Sequence, residues 1–206
     1  MRKTALGLVC VLFAILAQAQ KNEISFTAGE YVSAGASLDW GTATAFEGSF
    51  AHRIAHVPLL AVSLELPVAA TTSSSLPLTS FLRSSALPSF TSLFITPGVR
   101  VKLAPSFPLS PYVAVGVGLA RFNVQRNSSA IVSQLIGSGV NNTWAVDFAG
   151  GLDLKIFPHV ALRGELRDFY SGAIGLQSLL PTPLRALLPV SNQHNLMGTG
   201  GVVVTF

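Results

Sequence analysis

Between Trp144 and Tyr170 every second residue tends to the same chemistry, on both sides of a short break. Trp144, Val146, Phe148, Leu152, Leu154 and Ile156 share one parity; Asp147, Asp153 and Lys155 share the other. After Phe157-Pro158-His159 the pattern resumes, with Val160, Leu162 and Leu166 set against Arg163, Glu165 and Arg167. A period of two is the period of a β-strand, whose successive side chains leave opposite faces. A wholly apolar face backed by a face of charges suits a hairpin whose outside meets lipid and whose inside holds polar groups.

Hydropathy narrows the choice. Half of the 206 residues are apolar and 11% are charged, where about 25% charged is usual for a soluble domain. No apolar run after the N-terminus reaches the roughly 20 residues of a spanning helix. Two options remain, an unusually apolar soluble fold or a transmembrane β-barrel. The N-terminus points to export: Arg2 and Lys3 precede an apolar core from Leu6 to Leu16, and Ala17-Gln18-Ala19 is a small-x-small cleavage pattern. Residues 1–19 are therefore expected to be a signal peptide, rather than a membrane anchor, and residues 20–206 the barrel domain. The single cysteine, Cys10, lies inside that leader, so disulfides, thiol catalysis and thiolate metal sites are not expected in the mature chain. Without Arg2 and Lys3, the 13 basic residues become 11 against 9 acidic, a net charge of +2. That is too small for a nucleic-acid partner.

Eight strands are expected, at about residues 23–31, 42–53, 59–68, 92–104, 111–124, the two arms within 144–170, and 195–206. Their connections alternate in length: a medium link at Gly35 to Trp40, short turns at His56 to Pro58, at Pro105 to Ser110 and at Phe157 to His159, and long stretches at Ala69 to Phe90, Gln125 to Asn142 and Ser171 to Gln193. Short turns at one end and long loops at the other are the plan of an outer-membrane barrel. Ten tilted residues span roughly 23 Å, about the height of its apolar band.

The charges supply an internal check. Glu47, Glu65, Asp147, Asp153, Glu165, Arg53, Arg100, Lys102, Lys155, Arg163 and Arg167 all fall in the polar phase of their strands. Five acids and six bases form a near-balanced set, as a closed interior requires, because one unpaired buried charge costs about 3–5 kcal/mol. Asp147, Asp153 and Glu165 are expected to neutralise Arg100, Lys102, Arg163 and Arg167. An eight-stranded interior is just filled by side chains, so the set reads as a packed network rather than a pore lining. Glu30, Arg121 and Asp168 fall in the apolar phase but at the long-loop ends of their strands, where a charge costs only about 0–1 kcal/mol. Tyr31, Trp40, Phe122, Trp144 and Tyr170 gather at that end, and Phe50, Phe107, Phe157 and Phe206 at the other. They read as two interfacial girdles.

The last strand carries a family likeness. Leu196, Val202, Val204 and Phe206 alternate up to a C-terminal aromatic residue, which resembles the signal read by the barrel-assembly machinery of Gram-negative outer membranes. Pro97-Gly98-Val99-Arg100 and Pro111 to Gly118 resemble segments common in small OmpA-like barrel domains. The resemblance covers the mature chain. It implies an all-β, eight-stranded antiparallel transmembrane β-barrel in the bacterial outer membrane, with short periplasmic turns, long outer loops, outer-membrane lipid around it and monomeric behaviour. No peptidoglycan-binding domain follows, so a wall-anchoring role is not implied. Members of the group serve as structural proteins, adhesins, small-solute passages or lipid-modifying enzymes, and function does not travel with the fold.

For activity the sequence offers little. A barrel enzyme acting on lipid needs a Ser or His with an acid near the outer rim. His194 with Asp168 and Ser171 or Ser191 can be drawn as such a triad, although the spacing does not demand it, and a solvated loop histidine is the simpler reading. The lumen charges can be read as an ion pathway or, more simply, as structural packing. Gly116 and Gly118 fit as relief of crowding inside the barrel. Asn127-Ser128-Ser129 and Asn141-Asn142-Thr143 match the glycosylation pattern, an accident in a bacterial protein. No cofactor or metal cluster is expected. The segments Leu76–Leu87, Ile131–Ile136 and Leu176–Leu188 hold more leucine than solvated tips need, and are expected to cap the outer mouth or to dock a partner or apolar ligand. The primary expectation is a non-enzymatic barrel that is structural or presents loops for recognition. Binding or passage of a small apolar solute and a lipid-modifying enzyme are the alternatives.

Overall fold

The computed structural model describes residues 21–35, 39–72, 74–75, 89–125, 139–171 and 193–206. The expected signal peptide and the leucine-rich segments expected to cap the mouth lie outside the described residues. The described chain forms one antiparallel sheet closed into a ring. Its strands are β1 (Asn22–Gly35), β2 (Asp39–Val57), β3 (Leu60–Thr71), β4 (Ser74–Ser75), β5 (Ser89–Ile95), β6 (Gly98–Leu103), β7 (Leu109–Gln125), β8 (Gly139–Phe157), β9 (Val160–Ser171) and β10 (Gln193–Thr205).

The ring has eight staves. β5 and β6 occupy one position between β3 and β7, and the two-residue β4 only extends the edge of β5. The expected fourth strand is thus interrupted at Thr96-Pro97, because Pro97 has no N–H for the ladder. The interruption leaves the phase intact: Phe94, Thr96 and Arg100 are buried, and Ile95, Pro97 and Val99 are exposed. Two bonds bridge the gap, from Thr96 N to Pro67 O at 3.4 Å and from Val117 N to Pro97 O at 3.1 Å.

Closure comes from β1 pairing with β10, in register from Glu23 opposite Thr205 to Gly35 opposite Gln193. Reciprocal bonds between Asn22 and Phe206, at 3.0 and 2.9 Å, seal the short-turn end. A closed ring leaves no unpaired edge, and lipid offers backbone groups no alternative partner. The outer wall is apolar along every stave. Val117 and Leu119 are 62% and 66% exposed, and Ile24, Phe26, Leu64, Phe148, Leu162, Leu166 and Val202 also face outward. The chain is an eight-stranded antiparallel transmembrane β-barrel. Its three tight turns, at Pro58-Leu59, Ala104 to Pro108 and Pro158-His159, share one end.

Candidate functional site: the filled lumen

Every second side chain points inward, and what they build is layered along the axis. The lower layer lies nearest the tight turns. Glu23 carries three cations there: Lys102 at 2.7 Å, Arg100 at 3.3 Å and Arg163 at 3.6 Å. Asp153 holds Arg163 in a bidentate pair at 2.8 and 2.9 Å and takes Lys102 at 2.8 Å. This fork-to-fork geometry fixes direction as well as charge. Ser25 and Ser49 share a hydrogen bond of 2.6 Å, and each also accepts from a guanidinium, Ser25 from Arg163 and Ser49 from Arg100.

The middle layer is a hinge between two arginines. Glu65 accepts from Arg100 Nε at 3.0 Å and from Arg167 Nη2 at 3.0 Å. Tyr112 crosses the same level. Its ring lies 4.8 Å from the Arg100 guanidinium and 4.6 Å from that of Arg163, and its hydroxyl donates to Glu165. Above it, Arg167 gathers four carboxylates: Glu65, Glu165 at 2.7 Å, Glu47 at 3.3 Å and Asp147. Arg100 and Arg167 are each only 1% exposed. Such groups tolerate burial because every charge has a partner at contact distance.

The upper layer is aromatic. Phe94 stacks on Phe169 at 4.3 Å and meets Phe122 edge-on at 5.7 Å. Tyr31 and Met197 complete the cluster, which is fully buried. The Tyr31 hydroxyl donates to Asn195 Oδ1 at 2.5 Å, and Asn195 Nδ2 donates in turn to Phe169 O at 2.8 Å. Arg167 lies 6.0 Å from the Phe169 ring and joins the ionic and aromatic layers.

Nine of the eleven charges singled out in the sequence, Glu47, Glu65, Arg100, Lys102, Asp147, Asp153, Arg163, Glu165 and Arg167, meet in this network. Lys155 does not. It is exposed, at a register shift between Lys155 and Phe157, and faces the open mouth at the tight turns. Arg53 occupies the same mouth. Glu23 was not among the expected network residues, although it has the parity of Ser25 and Thr27 and sits one residue inside β1. The aromatic layer corrects a second expectation. Tyr31 and Phe122 are not girdle residues: both are 0% exposed and point inward. Their parity places them with Thr27 and Ala120, and phase rather than nearness to the strand end decides the face. Trp144, Phe50, Phe107, Phe157 and Phe206 do face outward. A Cβ on Gly116 would meet Asp147 Oδ1 and the Thr96 carbonyl, and one on Gly118 the Ile95 carbonyl, so both glycines stand where the interior has no room.

The triad drawn from the sequence is only half assembled. His194 Nδ1 lies 2.7 Å from Asp168 Oδ2, while Asp168 Oδ1 accepts from Asn195 N at 3.2 Å. Ser171 is on the other side of the wall, fully buried and hydrogen-bonded to Asn195; Ser191 lies outside the described residues. Among the described residues no group of His, Cys, Asp and Glu is arranged to hold a metal. At the C-terminus Val202, Val204 and Phe206 are 43%, 44% and 38% exposed and form an outward ridge on β10.

No family model matches the chain, and no curated protein matches it in sequence. Its fold is that of known barrels. The outer membrane protein OprG of Pseudomonas aeruginosa superposes with a TM-score of 0.56 at 13% identity, over 91% of this chain and 97% of that one. Neisserial surface protein A does so with a TM-score of 0.54 at 14% identity, over 90% and 97%. At these identities the likeness is one of fold: the chain has the architecture of the eight-stranded barrels of bacterial outer membranes.

Proposed function

We propose that this chain is an outer-membrane protein of the OmpA-like kind, exported by residues 1–19. The barrel-assembly machinery would read β10 through Val202, Val204 and Phe206. Its role is non-enzymatic, as a structural element of the membrane or as a rigid frame that presents its long outer connections for recognition. The observation that carries this reading is the filled lumen. Side chains cross the bore at each level, from the Glu23–Asp153 layer through Arg100–Glu65–Arg167 to the stacked Phe94 and Phe169. A conduit needs a wetted path. Here the bore is spent on packing, as expected of an eight-stranded ring. Recognition of macromolecular partners is thereby left to the outer wall and the loops.

Planar-bilayer recording on the refolded chain tests the plug, and the expected result is no unitary conductance above the lipid background. Reproducible open steps would sink it. Cell fractionation with heat-modifiable gel migration tests the location. The chain is expected in the outer-membrane fraction as a detergent-resistant form that shifts on boiling; recovery as a soluble periplasmic protein would overturn the reading.

A further inference from the structure

The lumen is neutral as a whole but not at its two ends. Six carboxylates, Glu23, Glu47, Glu65, Asp147, Asp153 and Glu165, face six cations, Arg53, Arg100, Lys102, Lys155, Arg163 and Arg167. They are not evenly mixed. Around the upper arginine, Arg167, stand Glu47, Asp147 and Glu165, a formal excess of two negative charges, besides the Glu65 that it shares with Arg100. Arg100 is balanced by Glu65 in the middle layer, and toward the tight turns Arg53, Lys102, Lys155 and Arg163 face only Glu23 and Asp153, a formal excess of two positive charges. Low-dielectric walls focus such a field toward the nearest opening.

That opening is a real recess. A cavity of about 310 Å³ occupies the tight-turn mouth, with Glu23, Lys102 and Asp153 at its floor and Arg53, His56 and Lys155 among its walls. Its volume lies at the lower edge of the roughly 300–1,000 Å³ typical of small-molecule sites. Glu23 and Asp153 have their charge taken up by Lys102, Arg100 and Arg163. The side chains of Arg53 and Lys155 make no ion pair or hydrogen bond among the described residues. One is a planar fork that matches an oxyanion bidentately, the other a rotatable point charge. Ser106 adds a hydroxyl on the β6–β7 turn.

We infer that this mouth is a binding site for a phosphate group, held between the Arg53 guanidinium and the Lys155 ammonium above the Lys102 floor. The group comes either on a small soluble phosphate or on a phospholipid headgroup at that membrane face. The inference is independent of the conductance reading, since a plugged barrel and a conducting one can both carry the site. A bound dianion supplies the counter-charge that the lower half of the bore lacks.

The test is a pair of titrations of isotope-labelled full-length chain, folded in non-ionic detergent and followed by amide chemical shifts. One arm adds inorganic phosphate at constant ionic strength set with chloride; the other adds phosphatidylglycerol without phosphate. Saturable shifts confined to the surroundings of Arg53, Ser106 and Lys155 are expected in at least one arm. The arm that responds identifies the source. Arg53→Gln and Lys155→Gln should each weaken the response about tenfold, the equivalent of about 1.4 kcal/mol, while Arg121→Gln at the opposite end should leave it unchanged. Shifts that rise linearly without saturation in both arms overturn the inference. So do mouth variants that titrate like the parent chain. The parent titration decides by itself if a variant fails to refold.

Discussion

A single backbone angle at the tight-turn end sets one prediction. Ala104 is the only non-glycine residue with positive φ among the described residues, at 47°. Its carbonyl accepts from Phe107 N at 3.0 Å and from Ser110 Oγ at 2.9 Å, which holds it in place. A left-handed residue with a Cβ costs about 1–2 kcal/mol, and glycine gives back about 0.5–1 in unfolded-state entropy. Ala104→Gly should therefore stabilise the barrel by about 0.5–1 kcal/mol, read as a higher urea midpoint for unfolding from phospholipid vesicles. Two glycines on opposite faces of the wall give a paired test. Alanine at Gly116 runs into Asp147 and the Thr96 carbonyl, whereas at Gly150 it meets nothing within 4 Å. Gly116→Ala should cost about 1–3 kcal/mol as overpacking. Gly150→Ala should be neutral or stabilising by up to about 1 kcal/mol, since glycine within a strand is costly. The same vesicle assay separates them, and equal effects would count against the assigned faces.

The layers of the lumen behave as units at the scale of elements. β9 delivers Arg163, Glu165, Arg167 and Phe169 inward in one run, so it touches every layer. Arg167→Met would leave Glu47, Glu65, Asp147 and Glu165 without their shared cation. Breaking a buried network from one side costs about 3–5 kcal/mol, and the midpoint of heat-modifiable migration should fall accordingly. Arg121→Gln, on the exposed wall of β7, is the control and should stay within about 0.5 kcal/mol. The aromatic layer is open to the same treatment. Phe94 stacks against Phe169 and contacts Phe122, so Phe94→Ala should cost about 3–5 kcal/mol in the vesicle assay. A loss below about 1 kcal/mol would mean that the upper bore is loosely filled.

The whole molecule is defined by its two surfaces, an apolar wall and an ionic bore, and one substitution probes the boundary between them. Val117 sits mid-strand on β7, 62% exposed. An arginine near the membrane midplane costs about 2–4 kcal/mol, so Val117→Arg should lower folding stability in vesicles by that amount. A tolerated arginine there would contradict a lipid-facing wall. Most of this architecture was legible in the sequence. Backbone geometry forces successive side chains to opposite faces, so parity alone sorted Asp147, Asp153, Arg163, Glu165 and Arg167 from Phe148, Leu154 and Leu166, and the turn spacing gave eight staves. Parity also holds the inward positions of Glu23, Tyr31 and Phe122, because phase, not distance from the strand end, decides which face a side chain leaves. What the sequence could not contain is which charges meet across the bore. Glu23 and Lys102 are 79 residues apart in the chain, and Arg167 and Glu65 are 102 apart. Strand tilt, the stagger between neighbouring strands and ring closure decide which inward residues share a level. Those quantities arise only when β1 meets β10. The sequence by itself determined the two faces and their chemistry. Only the closed tertiary structure decided the layering of the bore, because height along a barrel axis is a property of the ring and not of any one strand.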